Sequence, residues 1–456
     1  MATNHDALDR FIKKEMARTG VPGVAVGIHF KGKTYTKGYG VTNVDHPLPV
    51  DDETLFQIGS TTKTFTATAM MRLVEQGKVN LADPIRKYLP DFSLRDKAVS
   101  RKATVLHLFM HTGGWLGDHF EDHGRGDDAL TRVVEKMSKL KQLTPLGEVF
   151  SYNNAAFYVA GRIVEKVTNK PYETAIRELL FVPLGMDHSF FFAEEAITHR
   201  VVAGHITTAA GKSTVVRPWQ LSRTANPAGG IISDVKEQLK WARFHMGDGR
   251  AFDGKRLLRK ATVRKMQRAQ APAGSMADEV GISWLLRNVG GKRLVAHGGT
   301  TPGQLSAFMM VPDEGFAITV LTNSTRGGQV HGQVVKWALE HYLDIKQPAA
   351  EPIKVDLTRL ASYAGKYRIE ANGTIFDIVA RSGGLTVKFP APPVGPNGKK
   401  PPGIPPVPMY FFDDDRVMAS KGPFKGAKAE FVRGANGRVA WFRFGGRIHR
   451  KIAAKR

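Results

Sequence analysis

Residues 56–77 have the sequence FQIGSTTKTFTATAMMRLVEQG and predict the helix around which the chain is built. Phe65, Ala69 and Leu73 recur at every fourth position, the spacing that places side chains on one buried side of a helix. Gly77 follows as a helix stop. We therefore expect a helix from about residue 61 that packs one side against a core.

Ser60 stands at the start of this helix, and Lys63 follows three residues later. Residues three apart on a helix are surface neighbours, so their side chains can meet. A serine hydroxyl becomes a nucleophile when a nearby base takes its proton, and a lysine can be that base when its pKa is lowered. The N–H groups of a helix start can also bind a developing oxyanion. The stretch thus predicts an acyl-transfer centre.

The pattern Ser-x-x-Lys is weak evidence by itself, because it occurs twice more, at Ser138/Lys141 and Ser233/Lys236. Ser138 lies in a charged segment typical of a solvated helix face. Ser233 precedes a helical pattern and is interpreted as an N-cap. An ordinary cap is the alternative for Ser60 as well, so further motifs must decide.

A second candidate motif is Tyr-x-Asn at Tyr152 and Asn154. An ionised Tyr152 beside the Lys63 ammonium could act as a general base, and the Asn154 amide could donate to a substrate carbonyl. The alternative is a core tyrosine followed by a helix cap, for which either Asn153 or Asn154 is suitable.

A third motif, His-x-Gly, lies at the end of a predicted strand and contains His297, Gly299 and Thr300. Gly299 would let a substrate approach the backbone closely. The N–H of Thr300 could complete an oxyanion hole with that of Ser60. His-x-Gly also occurs at two helix ends, so this motif too is weak alone.

Together, and in this order, the three motifs resemble the serine β-lactamase and penicillin-binding-protein family in its broad sense, over about residues 5–345. That family includes class C β-lactamases, D-alanyl-D-alanine carboxypeptidases, D-aminopeptidases and related esterases. The resemblance implies that Ser60 is acylated, that Lys63 and Tyr152 transfer protons, and that Asn154 positions the substrate amide. It implies no cofactor and no metal.

His297 departs from the β-lactamase pattern, because His-Gly-Gly stands where that pattern has Lys-Thr-Gly. A permanent cation is thereby replaced by a group that is mostly neutral near neutral pH. The resemblance then favours D-amino-acid amides or short peptides, as in a D-aminopeptidase. The alternatives are a carboxylesterase or β-lactamase of the same family and, in another class, a catalytically inactive basic binding protein.

The order of elements predicts an α+β fold, with an antiparallel sheet flanked by helices and a helical subdomain. We expect a catalytic domain at 1–345 and a linker at 346–356. About eight short strands then predict a small β-barrel at 357–456. Within it, the proline-rich stretch 390–408 predicts a stiff loop, which we expect to reach over the Ser60 cleft with Lys399 and Lys400.

Composition excludes several classes of function. The chain has no cysteine, which excludes disulfides and thiolate metal sites. Its net charge is +24, and residues 350–456 hold half of it, with 20 Lys and Arg against 8 Asp and Glu. Without a recognition motif this charge does not indicate nucleic-acid binding. The sequence leaves the oligomeric state open.

No apolar stretch is long enough for a transmembrane helix, and the N-terminal residues lack an apolar signal region, so we expect a cytoplasmic protein without membrane contact. Residues 117–128 form a polar stretch with Asp118, His119, Glu121, Asp122 and His123. Their spacing matches no common metal-ligand pattern, and we interpret the stretch as a solvated loop near a cleft.

Overall fold

The computed structural model describes residues 5–381, 383–392 and 403–452. The proline-rich stretch 390–408 was expected to reach over the cleft, and its residues 393–402, with Lys399 and Lys400, lie outside this description. The helices and strands of the first part of the chain are α1 (His5–Thr19), β1 (Gly23–Phe30), β2 (Lys33–Gly40), β3 (Phe56–Gln57), α2 (Thr62–Glu75), α3 (Lys97–Lys102), α4 (Val105–Met110), α5 (Ala129–Lys136), α6 (Ala155–Thr168), α7 (Tyr172–Ile176), α8 (Ala193–Ala196), β4 (His205–Thr207), β5 (Ser213–Val215), α9 (Asn226–Gly229), β6 (Ile232–Ser233), α10 (Val235–Met246), α11 (Lys260–Met266), β7 (Ala271–Pro272), β8 (Glu279–Val280), β9 (Leu285–Val289), β10 (Lys292–Thr301), β11 (Gln304–Val311), β12 (Phe316–Thr322) and α12 (Gly327–Leu343).

An antiparallel sheet of eight strands, in the order β2-β1-β12-β11-β10-β9-β8-β7, lies between two layers of helices. The second and third strands of this order, β1 and β12, come from the two ends of this part of the chain, and Val26 of β1 lies opposite Val320 of β12. Helices α1 and α12 cover one face. Helices α2 and α10 and the helical residues between them belong to the larger core on the other face. The predicted α+β sheet with a helical subdomain is confirmed.

Helix α2 is buried on nearly all sides, which differs from the one-sided burial that its sequence predicts. Eleven of its residues are buried, including four threonines. The threonine hydroxyls tolerate burial because each has a hydrogen-bond partner: that of Thr66 contacts the Pro227 carbonyl at 2.7 Å, and that of Thr68 contacts the Thr64 carbonyl at 2.7 Å. The helix therefore passes through the interior, and a 3₁₀ turn at Gly59–Thr61 precedes it.

Eight antiparallel strands close into a barrel in the last part of the chain, as predicted. Its aromatic and aliphatic side chains form a separate core. The elements are α13 (Leu357–Tyr363), β13 (Gly365–Arg368), β14 (Ile375–Arg381), β15 (Gly384–Lys388), β16 (Val407–Phe411), β17 (Arg416–Ala419), β18 (Lys428–Arg433), β19 (Val439–Phe444) and β20 (Arg447–Lys451).

Helix α13 was not predicted, because its seven residues are too few for a clear helical period. The sequence predicts a strand from Tyr363, whereas this residue ends α13. The Asp356 carboxylate caps the helix by accepting a hydrogen bond from the Arg359 N–H at 2.7 Å. Among the described residues, none of the helices combines the length and the apolar character that crossing a bilayer needs.

Candidate active site

Ser60 and Lys63 meet at the start of α2, as their spacing predicts. Ser60 Oγ and Lys63 Nζ are 2.9 Å apart, and Lys63 Nζ also donates a hydrogen bond to the Ala228 carbonyl at 2.6 Å. Helix α9, which carries Ala228, packs against α2. Lys63 is fully buried, whereas Ser60 is partly exposed. The hydroxyl is therefore open to a substrate while the amine behind it is held in place.

Burial lowers the pKa of the Lys63 amine well below its ordinary value, because the charged form loses its hydration. The nearby Arg447 guanidinium lowers this pKa further, and Asp118 raises it. Two aromatic rings shield the amine from water, with Nζ 5.1 Å from the centroid of the Tyr152 ring and 5.2 Å from that of Phe157. A neutral amine can accept the Ser60 proton.

Tyr152 lies against the same pair and is also buried. Burial raises the pKa of its phenol to about 12, although a hydrogen bond with Ser60 lowers it in part. An ionised Tyr152 at neutral pH, one of the alternatives that the sequence offers, does not fit this environment, because burial disfavours the phenolate more than the neighbouring cation stabilises it. The geometry favours a neutral phenol beside a neutral amine.

Strand β10 passes directly against the Ser60 turn, and two glycines make this contact possible. A Cβ atom on Gly59 would lie 2.6 Å from the Thr300 nitrogen, and one on Gly299 would lie 1.9 Å from the Ile58 oxygen and 2.7 Å from the Ser60 nitrogen. Gly59 also has a φ of +51°. The backbone nitrogens of Ser60 and Thr300 are thus brought to the same place. Gly299 therefore admits the Ser60 turn as a close neighbour, and it also lines the pocket beside Ser60.

The two asparagines after Tyr152 have different tasks. Asn153 caps α6, since its side-chain oxygen accepts from the Ala156 N–H at 2.8 Å and its amide donates to the Trp115 carbonyl at 2.9 Å. Asn154 makes no side-chain cap; its amide donates to Asp118 Oδ1 at 3.0 Å. This frees the Asn154 side chain to line the pocket beside Ser60.

His297 lies behind Tyr152, with 6.3 Å between the ring centroids, and only 2% of it is exposed. Its Nδ1–H donates to the Gly298 carbonyl at 2.7 Å, while Nε2 is buried and has no hydrogen-bond partner among the described residues. Burial, together with the charge of Lys63, lowers the pKa of His297 to about 3. The imidazole is therefore neutral at pH 7, and it is not among the side chains that line the pocket.

The barrel supplies a cation to the site through the turn between β19 and β20. The Gly446 carbonyl accepts a hydrogen bond from the Tyr152 N–H at 2.8 Å. The Arg447 guanidinium lies 4.7 Å from the centroid of the Tyr152 ring. Two hydrogen bonds of 3.1 Å join it to the Asp118 carboxylate. Tyr152 is thereby held by contacts with the barrel as well as with the catalytic part of the chain.

These side chains surround one pocket of about 430 Å³ that opens beside Ser60. Its lining is mixed, with polar groups next to aromatic and aliphatic ones. The residues are Ser60, Phe120, Tyr152, Asn154, Tyr158, Leu221, Ala225, Ala228, Gly229, Met276, Gly298, Gly299, Thr300, Leu305, Ser306 and Arg447. The volume suits a small molecule or the end of a peptide.

Comparison with known proteins shows the family of the chain. A family model described as Beta-lactamase matches residues 8–340, the part of the chain that contains Ser60, Lys63, Tyr152 and His297. The chain belongs to the β-lactamase family. Penicillin-binding protein 4 of Amycolatopsis lactamdurans is 32% identical over 351 residues, which are 75% of this chain and 92% of that protein.

One further relative and one solved structure extend the comparison. Protein flp of Staphylococcus aureus (strain N315) is 24% identical over 327 residues, which are 69% of this chain but only 62% of that longer protein. The crystal structure of SurE has a TM-score of 0.78 at 24% identity, and the match covers 98% of this chain and 99% of SurE. The fold of this β-lactamase-family chain is therefore shared with SurE along nearly its whole length. The chain is a serine hydrolase of the β-lactamase and penicillin-binding-protein type.

Three residues of the site were not indicated by the sequence. Arg447 is more than 380 positions from Ser60, and no motif marks it. Asp118 is conspicuous only as part of an acidic stretch. His111 ends α4 with a φ of +57°, and its ring stacks on Tyr152 at a centroid distance of 4.3 Å. Burial lowers the pKa of His111 well below its ordinary value, and repulsion from Arg447 and from the protonated forms of Lys63 and His297 lowers it further.

Proposed function

We propose that this β-lactamase-family enzyme hydrolyses D-amino-acid amides or short peptides through an acyl-enzyme on Ser60. The observation that carries the mechanism is the 2.9 Å contact between Ser60 Oγ and the fully buried Lys63 Nζ. Neutral Lys63 takes the hydroxyl proton as Ser60 attacks the carbonyl carbon of the substrate. The backbone N–H groups of Ser60 and Thr300 stabilise the oxyanion that forms.

Tyr152 carries the proton to the leaving group in this proposal. The phenol is neutral, with a pKa of about 12, and it lies between Lys63 and the pocket. It donates its proton to the departing amine and regains one from Lys63. Water then attacks the acyl carbonyl by the same route in reverse, which releases the product acid and free Ser60.

Polar groups at the pocket wall support an amide or peptide substrate over a simple ester. Asn154, Asp118 and Arg447 form a hydrogen-bonded group in which Asn154 and Arg447 line the pocket. The Asp118 carboxylate accepts hydrogen bonds from both of these side chains and holds them in place. The neutral, buried His297 supplies no fixed charge for the carboxylate that a β-lactam carries. A carboxylesterase stays the second candidate, because the neutral His297 suits an uncharged ester equally well.

Rates on matched chromogenic substrates test the proposed substrate class. We expect the D-alanine p-nitroanilide to have the highest kcat/KM in a panel with its L-enantiomer, p-nitrophenyl esters and nitrocefin. Preference for an ester would favour the carboxylesterase, and preference for nitrocefin the β-lactamase. Labelling by a fluorophosphonate separates all of these from an inactive binding protein, which would stay unlabelled.

The pH dependence should show an acid limb and no alkaline limb near neutrality. The proposed base acts when unprotonated, so kcat/KM should fall as the pH falls through the lowered pKa of Lys63. Tyr152, with a pKa of about 12, stays protonated, so activity should persist up to about pH 10. A pH profile of kcat/KM on a p-nitrophenyl ester without an ionisable group, corrected for spontaneous hydrolysis, measures this, because a free α-amino group would itself titrate at about pH 8. Activity that declines between about pH 7 and pH 9 would contradict these assignments.

Two substitutions in the Arg447–Asp118 pair should move this acid limb in opposite directions. Arg447 lowers the pKa of Lys63 and Asp118 raises it. Arg447→Gln should therefore shift the limb to higher pH, and Asp118→Asn should shift it to lower pH. Arg450→Gln is the matched control, because Arg450 lies on the same strand, pairs with Glu370 and is mostly exposed. Shifts in the same direction, or an equal shift in the control, would contradict the electrostatic assignment.

A further inference from the structure

Three potential metal ligands meet on the loop between Trp115 and α5. His119, Glu121 and His123 each offer one ligand atom, and these atoms lie within 4.8 Å of one another. Two histidine nitrogens with one carboxylate oxygen are a donor set that binds Zn²⁺ in proteins and leaves a fourth position open. The hypothesis of a merely solvated loop does not account for this convergence.

Both imidazoles are in the unusual state of having an unsatisfied buried nitrogen. His119 Nε2 and His123 Nε2 are buried and have no hydrogen-bond partner among the described residues. The side chain of His123 is only 9% exposed, and its Nε2 faces Glu121 Oε2 at 4.0 Å. A buried polar atom without a partner is costly, and a metal ion would satisfy both nitrogens at once.

The distances need only a small adjustment to become ligand distances. Zn–N and Zn–O bonds are about 2.0–2.2 Å long, so tetrahedral ligand atoms are about 3.3–3.6 Å apart. Glu121 is 72% exposed and can move toward the histidines. Their rings already lie side by side, with 5.6 Å between the centroids.

We propose that His119, Glu121 and His123 bind a Zn²⁺ ion that fixes Phe120 at the mouth of the catalytic pocket. The loop is already held at both ends: the Gly117 carbonyl accepts from the Ala155 N–H at 3.0 Å, and the His123 N–H donates to Thr224 Oγ1 at 3.3 Å. Phe120 lies between the ligands, lines the pocket and is 62% exposed. A bound ion would also fix the segment between these two hydrogen bonds, which carries Phe120.

Zinc binding is tested without reference to activity. The full-length protein is dialysed against a chelator and titrated with Zn²⁺ by calorimetry, and Co²⁺ is used as a spectroscopic substitute. We expect one equivalent bound, with visible Co²⁺ bands of a low-coordinate site. His119→Gln/His123→Gln should weaken binding at least about 100-fold, since removing even an outer-shell partner costs 10–100-fold.

Two further variants keep the test decisive. Glu121→Gln should weaken zinc binding at least about tenfold without lowering the melting temperature, because its side chain is mostly in solvent. His199→Gln is the control, since His199 is exposed and meets another histidine, His188, at 3.1 Å. Zinc binding that is absent, equal in wild type and ligand variants, or lost only in His199→Gln would overturn the proposal.

The effect on the pocket mouth rests on the proposed hydrolase function and is measured separately. Zn²⁺ should increase the ratio of kcat/KM for small over bulky acyl substrates in the wild type but not in His119→Gln/His123→Gln. Zinc binding that leaves this ratio unchanged would overturn the fixing of Phe120. A wild type that binds zinc yet hydrolyses no substrate would contradict the proposed function and leave the metal site standing.

Discussion

Replacing Ser60 with alanine should lower kcat by about 10⁴-fold or more, because the covalent route through an acyl-enzyme is lost. Ser60 Oγ is the atom that the buried Lys63 amine contacts at 2.9 Å, and it lines the pocket. The alanine variant keeps the oxyanion N–H groups and should retain only the small rate that they provide. Steady-state kinetics on the preferred p-nitroanilide, together with fluorophosphonate labelling, measures both losses.

The chain itself offers a matched control for this substitution. Ser138 also has a lysine three residues later, but its hydroxyl donates to the Glu135 carbonyl at 3.3 Å on the surface. Ser138→Ala should therefore keep kcat within about threefold of the wild type, as surface substitutions do. Unchanged turnover in Ser60→Ala would show that another residue is the nucleophile.

Substituting Lys63 and substituting Tyr152 should each reduce kcat by about 10²–10⁴-fold. The double variant should have a kcat little below that of the less active single variant. Both side chains handle the same proton, so once one is lost the other has no partner to exchange with. Lys63→Met and Tyr152→Phe keep the volume of these buried side chains. The measurement is a double-mutant cycle on kcat.

Melting temperatures separate this catalytic role from a structural one. Lys63→Met removes a buried amine whose pKa is already lowered by the cost of desolvation. The melting temperature of this variant should therefore be close to that of the wild type or above it. Lys87→Met and Tyr88→Phe form the control cycle, since these two also lie together, with Lys87 Nζ 5.9 Å from the Tyr88 ring, but near the surface. Independent, multiplicative losses at Lys63 and Tyr152 would contradict a shared proton.

Local sequence patterns predicted the elements of this fold well, since each depends on a short range of residues. The eight barrel strands and the helices α1, α2 and α12 follow from alternation and helical spacing that residues carry within one element. Burial of α2 on all sides was not predictable in this way. Its threonines appear polar in sequence, and only their contacts, such as that of Thr66 with Pro227, make them suitable for the interior.

The site was predictable only where its chemistry lies in short motifs. Three short motifs carry the residues that were predicted and that line or adjoin the pocket, namely Ser60, Lys63, Tyr152, Asn154, Gly299 and Thr300. Arg447 could not be found, because its place over Tyr152 depends on how the barrel packs against the catalytic part. The protonation state of Tyr152 could not be predicted from the sequence either, because it depends on how deeply the phenol is buried. Long-range packing thus decided what local patterns left open.

The central claim, an acyl-enzyme on Ser60, is tested most directly by finding the modified atom. The protein is incubated with a fluorophosphonate, digested, and the labelled peptide is sequenced by tandem mass spectrometry. We expect one label per chain, on Ser60, and no label on Ser138 or Ser233. A label on any other residue, or none on a protein that turns over the substrate, would contradict this account.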